Sequence, residues 1–248
     1  SKGIGAQYEP DGLWIINNHI HGTKYGIRVG STSSTEWRQK LYIIGNVIHD
    51  INALGEAVGP GASTSSWQPA AIHLAGMHEH HIYNNLIFDA PNGIDISGPS
   101  ITQIRNNIIL DVTESQLEGE NGYHIWAELQ DLNDNVFIDN NYFGSEMKVK
   151  VRHDKHETAA SLNAVVGASD NIAGFNFITA DDISELMQAD TSRVDLSQIE
   201  ELGINVDHLL VTDFTSIFVD SEPLNRDILG NPRILGRVID IGPFEQAE

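Results

Sequence analysis

Five stretches of the chain align without gaps: LWIINNHIHG (13–22), LYIIGNVIHD (41–50), HHIYNNLIFD (80–89), TQIRNNIILD (102–111) and VFIDNNYFGS (136–145). In each stretch an isoleucine is followed three positions later by an asparagine, and two positions further on by an isoleucine or a phenylalanine. These columns are Ile15, Ile43, Ile82, Ile104 and Ile138; Asn18, Asn46, Asn85, Asn107 and Asn141; and Ile20, Ile48, Ile87, Ile109 and Phe143. The asparagine spacing fits a coil of about 22 residues with insertions of varying length.

The repeat predicts an all-β fold. Short β-branched strands must each bury one apolar face, and stacking successive coils supplies the partner surface. Leucine-rich repeats and propeller blades have other periods and other consensus residues. We therefore predict a right-handed parallel β-helix, in which the asparagines hydrogen-bond from coil to coil and satisfy polar groups at each bend.

The repeat also divides the chain. Residues 1–155 carry the coils, and KGIGAQ (2–7) resembles a strand of an earlier coil, so we expect further coils upstream. Residues 156–248 are predicted to hold the last coil or coils, short helices over 181–190 and 195–204, and a turn-rich C-terminal cap. Aspartates at the helix starts are suitable N-caps, and a cap of this kind covers the open end of a solenoid.

A second strand follows each asparagine corner, in YGIRVG (25–30), AAIHLAG (70–76), NGIDISG (92–98) and NGYHIWA (121–127). The inward pairs are predicted to be Ile27/Val29, Ile72/Leu74, Ile94/Ile96 and Tyr123/Ile125. Because side chains alternate along a strand, the residues between them should point outward. This predicts an outward column of Arg28, His73, Asp95 and His124, with Lys150 as a fifth member.

Two insertions enter just before this second strand, at 51–69 and 112–122. Long loops on a rigid scaffold often carry function, and these should wall a groove over the column. Trp67, in the first insertion, and the outward Trp126 would offer aromatic faces to a ligand.

Composition limits the partners. The chain has 14 Lys and Arg against 35 Asp and Glu, a formal net charge of −21. Phosphate backbones would be repelled, so we expect no nucleic acid partner. No apolar run approaches the roughly 20 residues that span a bilayer, so we expect no membrane span. An anionic ligand would need a local basic patch or a bound cation.

The C-terminal end brings a more specific resemblance. Gly230-Asn231-Pro232-Arg233 and Asp240-Ile241-Gly242-Pro243-Phe244-Glu245, with the asparagine repeat and the G-I-x-V strands, resemble the pectate-lyase-like right-handed β-helix superfamily. In particular, these segments resemble secreted bacterial β-helix proteins that end in D-I-G-A-F-E, where this chain has proline in place of alanine. The resemblance implies an extracellular protein that acts on or binds a polysaccharide in a groove over one sheet.

Three functions fit the column. A lyase that cleaves a uronic-acid polysaccharide would use Arg28 or Lys150 to hold the carboxylate, with His73 or His124 as base or acid. Asp95 would orient a histidine or bind a cation, Ca²⁺ being the ion to consider; no other metal or cofactor is predicted. A glycoside hydrolase would pair Asp95 with Glu120 or Glu128. A non-catalytic polysaccharide-binding or surface protein is the third alternative.

Overall fold

The computed structural model describes residues 2–7, 12–30, 39–51, 69–76, 78–98, 100–112, 122–128, 136–165 and 167–175. These residues form short strands and one short helix. In chain order the elements are β1 (Lys2–Gln7), β2 (Leu13–Ile16), β3 (His19–Thr23), β4 (Tyr25–Gly30), β5 (Gln39–Ile44), β6 (Val47–Ile51), β7 (Ile72–Ala75), β8 (His78–Tyr83), β9 (Leu86–Ile87), β10 (Ile94–Ser97), β11 (Ser100–Arg105), β12 (Ile108–Ile109), β13 (Ile125–Glu128), β14 (Val136–Asp139), β15 (Tyr142–Gly144), β16 (Val149–Val151), β17 (Asp154–His156), α1 (Ala159–Asn163), β18 (Ala168–Ser169) and β19 (Ile172–Phe175).

The strands stack into three sheets. Sheet A has the order β1-β4-β7-β10-β13-β16-β17, sheet B the order β18-β14-β11-β8-β5-β2, and sheet C the order β19-β15-β12-β9-β6-β3. Each coil therefore adds a strand to sheet B, then to sheet C, then to sheet A. Neighbouring strands run parallel, except that β17 pairs antiparallel with β16. The predicted parallel β-helix is confirmed.

The core is built from the predicted isoleucine columns. Ile43, Ile82 and Ile104 lie side by side on sheet B and are completely buried. Ile48 and Ile87 are their equivalents on sheet C. Full burial of each such side chain stabilises the fold by about 1.5–3 kcal/mol, so the interior of the solenoid is its main source of stability.

The asparagine ladder is also confirmed. Asn46 Nδ2 donates to Asn85 Oδ1 at 2.9 Å, and Asn85 Nδ2 donates to Asn107 Oδ1 at 2.9 Å. The same oxygens accept a second hydrogen bond from the backbone N–H of the preceding ladder residue. The ladder runs further than the repeat predicts, because Asn141 donates to Asn171, and Asn171 donates to Asn163 in α1.

The residue before each ladder asparagine explains why the corner is so often Asn-Asn. Asn84 and Asn106 have φ values of 53° and 57°, and Gly45 has a φ of 68°. Among residues with a side chain, asparagine tolerates this left-handed conformation best, and glycine adopts it without strain. The first residue of each pair therefore makes the bend and the second makes the ladder.

The last described residues continue two of the sheets past Lys155, through β18 and β19. Between β17 and β18 lies α1, capped by Thr158, whose side chain accepts a hydrogen bond from Ser161 N at 3.2 Å. The helices predicted over 181–190 and 195–204 and the terminal GNPR and DIGPFE segments lie outside the described residues. None of the described helical residues form a segment long and apolar enough to cross a membrane.

Candidate functional site

The outer face of sheet A carries a single column of functional side chains. Strand pairing aligns Arg28 with His73, His73 with Asp95, Asp95 with Trp126, Trp126 with Lys150, and Lys150 with Lys155. We call these six residues the sheet A column. Its length is on the order of 24 Å, because adjacent strands are about 4.8 Å apart. The predicted alignment of Arg28, His73, Asp95 and Lys150 on one sheet is confirmed.

The prediction that His124 belongs to this column is wrong. Ile94 pairs with Ile125, so the inward pair on β13 is Ile125 and Ala127 rather than Tyr123 and Ile125. Trp126 therefore occupies the place expected for His124, and His124 lies two residues earlier in the chain, at the corner between sheets C and A.

His124 has a structural environment at that corner. Its side chain is buried, its ring packs edge-on against Phe143 with centroids 5.7 Å apart, and its Nδ1 accepts a hydrogen bond from Lys148 N at 3.2 Å. The pKa of His124 is lowered to about 4, mainly by burial, with a smaller lowering by the charge of Lys148, while the hydrogen bond from Lys148 N opposes both. A neutral, buried imidazole that faces the core has no access to a ligand on sheet A.

The environment of His124 predicts a pH dependence of stability. The pKa in the folded chain, about 4, lies below the ordinary value of 6.5, so protonation favours the unfolded chain. The resulting stabilisation is complete above about pH 6.5 and is lost as the pH falls towards 4, with a total of about 3 kcal/mol. Urea unfolding between pH 7 and pH 4 measures it. His124→Gln keeps an acceptor for Lys148 N and should flatten the pH dependence; an unchanged slope would contradict this account.

The centre of the column is a histidine–carboxylate pair. His73 Nδ1 lies 2.8 Å from Asp95 Oδ2, and the side chains of His73 and Asp95 are 0% and 11% exposed. With Asp95 as the acceptor, Nδ1 carries the hydrogen and the lone pair of the neutral imidazole is on Nε2. This is the arrangement in which a carboxylate orients an imidazole and stabilises its protonated form.

One flank of the pair combines a cation with an aromatic ring. The Arg28 guanidinium lies 4.9 Å from the centre of the Tyr25 ring, and the Tyr25 and His73 rings are 5.7 Å apart. Burial raises the pKa of the Tyr25 hydroxyl, Arg28 lowers it, and Asp95 raises it further. Tyr25 is therefore close enough to link Arg28 electrostatically to the pair.

The other flank has two lysines around two aromatic rings. Lys150 Nζ lies 4.8 Å from the centre of the Trp126 ring and 5.9 Å from that of Tyr123. Lys155 Nζ lies 5.8 Å from the Tyr123 ring. Cations over aromatic faces are held in place by the ring quadrupole. In a chain of net charge −21, both ends of the sheet A column are locally positive.

Comparison with protein families now identifies the architecture. Residues 2–172 match the model of the right-handed beta helix region. The chain belongs to this right-handed beta helix family. Comparisons with curated proteins and with solved structures find no match. Membership is consistent with a polysaccharide-active or surface β-helix protein. The match ends before the C-terminal segments whose likeness to secreted pectate-lyase-like proteins is noted above.

Several residues predicted for the site lie outside the described part of this right-handed beta helix. Trp67, Glu120 and most of both insertions are among them. Glu128 is described: it follows Ala127 on β13, is exposed, and pairs with Ser97. Its Cα is therefore one strand and two residues from that of Asp95, a separation of about 8 Å. Among the described residues, no group of three or more histidine or acidic side chains could hold a metal ion.

Sequence reasoning missed three members of the site. Tyr25 and Tyr123 flank the column, and Lys155 extends it through the antiparallel strand β17. The signal for Lys155 was present, because VKVRHDKH (149–156) has a lysine at equivalent positions on the two sides of a turn. Tyr25 begins β4, and Tyr123 lies two residues before β13. Alternation places both with the inward residues, as predicted for Tyr123, so only the structure could place their rings beside the column.

Proposed function

We propose that this chain is an extracellular lyase that cleaves a uronic-acid-containing polysaccharide by β-elimination on the outer face of sheet A. The observation that supports it most is the 2.8 Å contact between His73 and Asp95, with cations on both sides. β-Elimination needs these parts: a base for the C5 proton, a group that supports the base, and positive charge for the substrate carboxylate.

In the proposed reaction His73 Nε2 takes the C5 proton. The electrons of the C5–H bond form the C4=C5 double bond, and the C4–O4 bond breaks with its electron pair on O4. The imidazolium, stabilised by Asp95, then returns the proton to O4, so that no proton is gained or lost overall. Arg28 pairs with the carboxylate next to the reacting carbon and favours the negative charge that develops there.

The charge distribution supports an acidic ligand. Arg28, Lys150 and Lys155 line one face of a chain whose net charge is −21. Such a local patch is what an acidic chain needs in order to bind against the long-range repulsion. His73 is completely buried, so the proposal requires an opening step, in which neighbouring side chains move aside before a bound sugar can reach Nε2.

The direct test is incubation of the chain with alginate, pectate, glucuronan and glycosaminoglycans, followed by absorbance near the ultraviolet band of unsaturated uronates and by a reducing-end assay. A lyase produces both signals. Reducing ends without absorbance would show hydrolysis. Binding with neither signal would show the third alternative, a non-catalytic polysaccharide-binding protein.

One observation favours hydrolysis as the second candidate. Glu128 lies on the outer face of the strand next to Asp95, and the roughly 8 Å between their Cα atoms would allow the two carboxyl groups to take the separation of about 6.5–9.5 Å that inverting glycosidases use. Glu128→Gln would then abolish the release of reducing ends, whereas a lyase would be unaffected. This variant separates the two mechanisms, because Glu128 is exposed and its replacement should not disturb the fold.

The flanking cations give a separate prediction. Arg28→Ala and Lys150→Ala should each weaken binding of an acidic oligosaccharide by about 10-fold at low salt, and the loss should shrink as salt rises, because screening weakens exposed charge pairs. Isothermal titration at two salt concentrations measures this. Arg152→Ala is the matched control, since Arg152 is an exposed cation just beyond Lys150 on the chain; equal losses in all three variants would contradict a specific patch.

A further inference from the structure

The lysine and arginine side chains of the sheet A column lie only at its two ends. The first end has Arg28 on β4 and Lys24 directly before that strand, and their charged groups lie 4.9 Å and 5.7 Å from the centre of the Tyr25 ring. The second end has Lys150 on β16 and Lys155 on β17, which pair with each other. Each end is therefore a small positive patch of two cations.

The middle of the column is acidic. The three strands between the ends, β7, β10 and β13, contain no lysine or arginine. They contain Asp95, at the centre of the column, and the exposed Glu128 on the same outer face. In the sequence, the insertions at 51–69 and 112–122 also lack lysine and arginine, and they have four glutamates, Glu56, Glu114, Glu118 and Glu120. We therefore expect the anionic groups of a ligand to be stabilised at the ends and repelled at the middle.

Strand pairing fixes the distance between the two positive ends. Arg28 and Lys150 are four strand steps apart in the column, which is about 19 Å. A pyranose unit advances an extended polysaccharide by about the same distance as one strand step, so about four units span this length. A polysaccharide that lies along the column can place a carboxylate at each end when its uronic acids are four units apart.

A denser arrangement of carboxylates would meet Asp95. This residue is two strand steps from Arg28 and two from Lys150. With one carboxylate at Arg28, a uronic acid at every unit or at every second unit would place another beside Asp95. The side chain of Asp95 is only 11% exposed, and partial burial strengthens the repulsion between like charges. The next position holds Trp126, an aromatic surface that suits an uncharged sugar.

We propose that the polysaccharide bound on sheet A is a sparsely charged heteropolysaccharide, in which three neutral sugars separate successive uronic acids. One uronic acid lies at Arg28, with its ring beside His73, and the next lies at Lys150. The neutral units between them cover Asp95 and Trp126. This inference rests on the proposed function for the place of the ligand, but it concerns the spacing of charge along the ligand rather than the reaction.

The test compares two oligosaccharides of eight units that share a 4-linked glucuronic acid and differ in its spacing. One is octaglucuronate from glucuronan, and the other is a deacylated gellan octasaccharide, with one glucuronic acid in every four units. Isothermal titration uses the full chain with His73→Ala, which prevents turnover, at physiological ionic strength, where charges more than about 8 Å apart are largely screened. We expect the gellan octasaccharide to bind about 10-fold more tightly. Equal or tighter binding of octaglucuronate, or no binding of either, would overturn the proposal.

A charge reversal tests whether the preference arises at the middle of the column. Glu128→Lys places a cation there, and Glu128 is exposed, so the fold should tolerate the change. We expect it to shift the ratio of the two affinities by about 10-fold towards octaglucuronate. Glu157→Lys is the matched control, because Glu157 is exposed and follows β17, beyond the end of the column. It changes the net charge equally and should leave the ratio almost unchanged; equal shifts in both variants would mean that only net charge matters.

Failure of this inference is distinguishable from failure of the proposed lyase. Tighter binding of the gellan octasaccharide without a rise in absorbance from the wild-type chain would overturn the lyase and leave the charge spacing intact. If the wild-type chain cleaved octaglucuronate with a higher kcat/KM than the gellan octasaccharide, the lyase would be supported and the charge spacing proposed here would be wrong.

Discussion

Replacing His73 by alanine should lower the rate of β-elimination by about 10²–10⁴-fold, the usual contribution of a general base. The reason is that His73 Nε2 is the proposed acceptor of the C5 proton, and no other described imidazole is aligned with the sheet A column. Asp95→Asn should have a smaller but clear effect, because the amide does not stabilise the imidazolium that His73 becomes. Initial rates of formation of the unsaturated uronate, at saturating substrate, measure both.

The matched control for His73 is His124→Gln. Both histidines are buried. His73 lies on β7 and His124 directly precedes β13, but only His73 is aligned with Asp95. His124→Gln should therefore keep the rate of the unmodified chain at neutral pH. If His124→Gln lost activity while His73→Ala kept it, the site assigned here would be wrong.

Replacing Asn85 by leucine should lower the free energy of unfolding by at least about 1–3 kcal/mol, the cost of leaving a buried polar group unpaired. Asn85 Oδ1 accepts from both Asn46 N and Asn46 Nδ2, and Asn85 Nδ2 donates to Ile43 O and Asn107 Oδ1. Leucine has the same branched arrangement of side-chain heavy atoms but larger methyl groups, so overpacking adds to the loss of the hydrogen bonds. Urea denaturation at constant pH gives the value.

Asn18→Leu serves as the comparison for the ladder. Asn18 is only partly buried and donates to Asn46 without accepting from an earlier rung among the described residues. Its replacement should cost less than that of Asn85, because water can reach the groups left behind. Equal costs at the two positions would mean that the ladder does not stabilise the fold through its buried hydrogen bonds.

The fold could be predicted from the sequence because its two main constraints repeat. The inward isoleucines and the corner asparagines recur in five stretches, and strand pairing confirms the alignment of each. Asn171 was missed because Ala168, three positions before it in GASDNIAGF (167–175), stands where the other five stretches have isoleucine. The Asp-Asn pair remained as a signal, since Asp170 makes the same left-handed bend, with a φ of 54°.

The error at His124 has a geometric cause. The Asn-Gly pairs at 92–93 and 121–122 suggested an alignment of β10 with β13 that is two residues out of register. A shift of one residue would have turned the apolar side chains outward, but a shift of two keeps the same alternation. The hydrophobic pattern therefore could not detect the error, and only strand pairing reveals that Trp126 is beside Asp95.

A crystal structure of the Asp95→Asn variant with a bound acidic oligosaccharide, chosen from whichever polysaccharide gives the unsaturated product, would locate the binding site. We expect a sugar chain along the sheet A column, with a carboxylate at Arg28, a second one near Lys150 and Lys155, and the C5 atom of one ring beside His73 Nε2. A sugar chain bound on sheet B or sheet C, with sheet A empty, would contradict it.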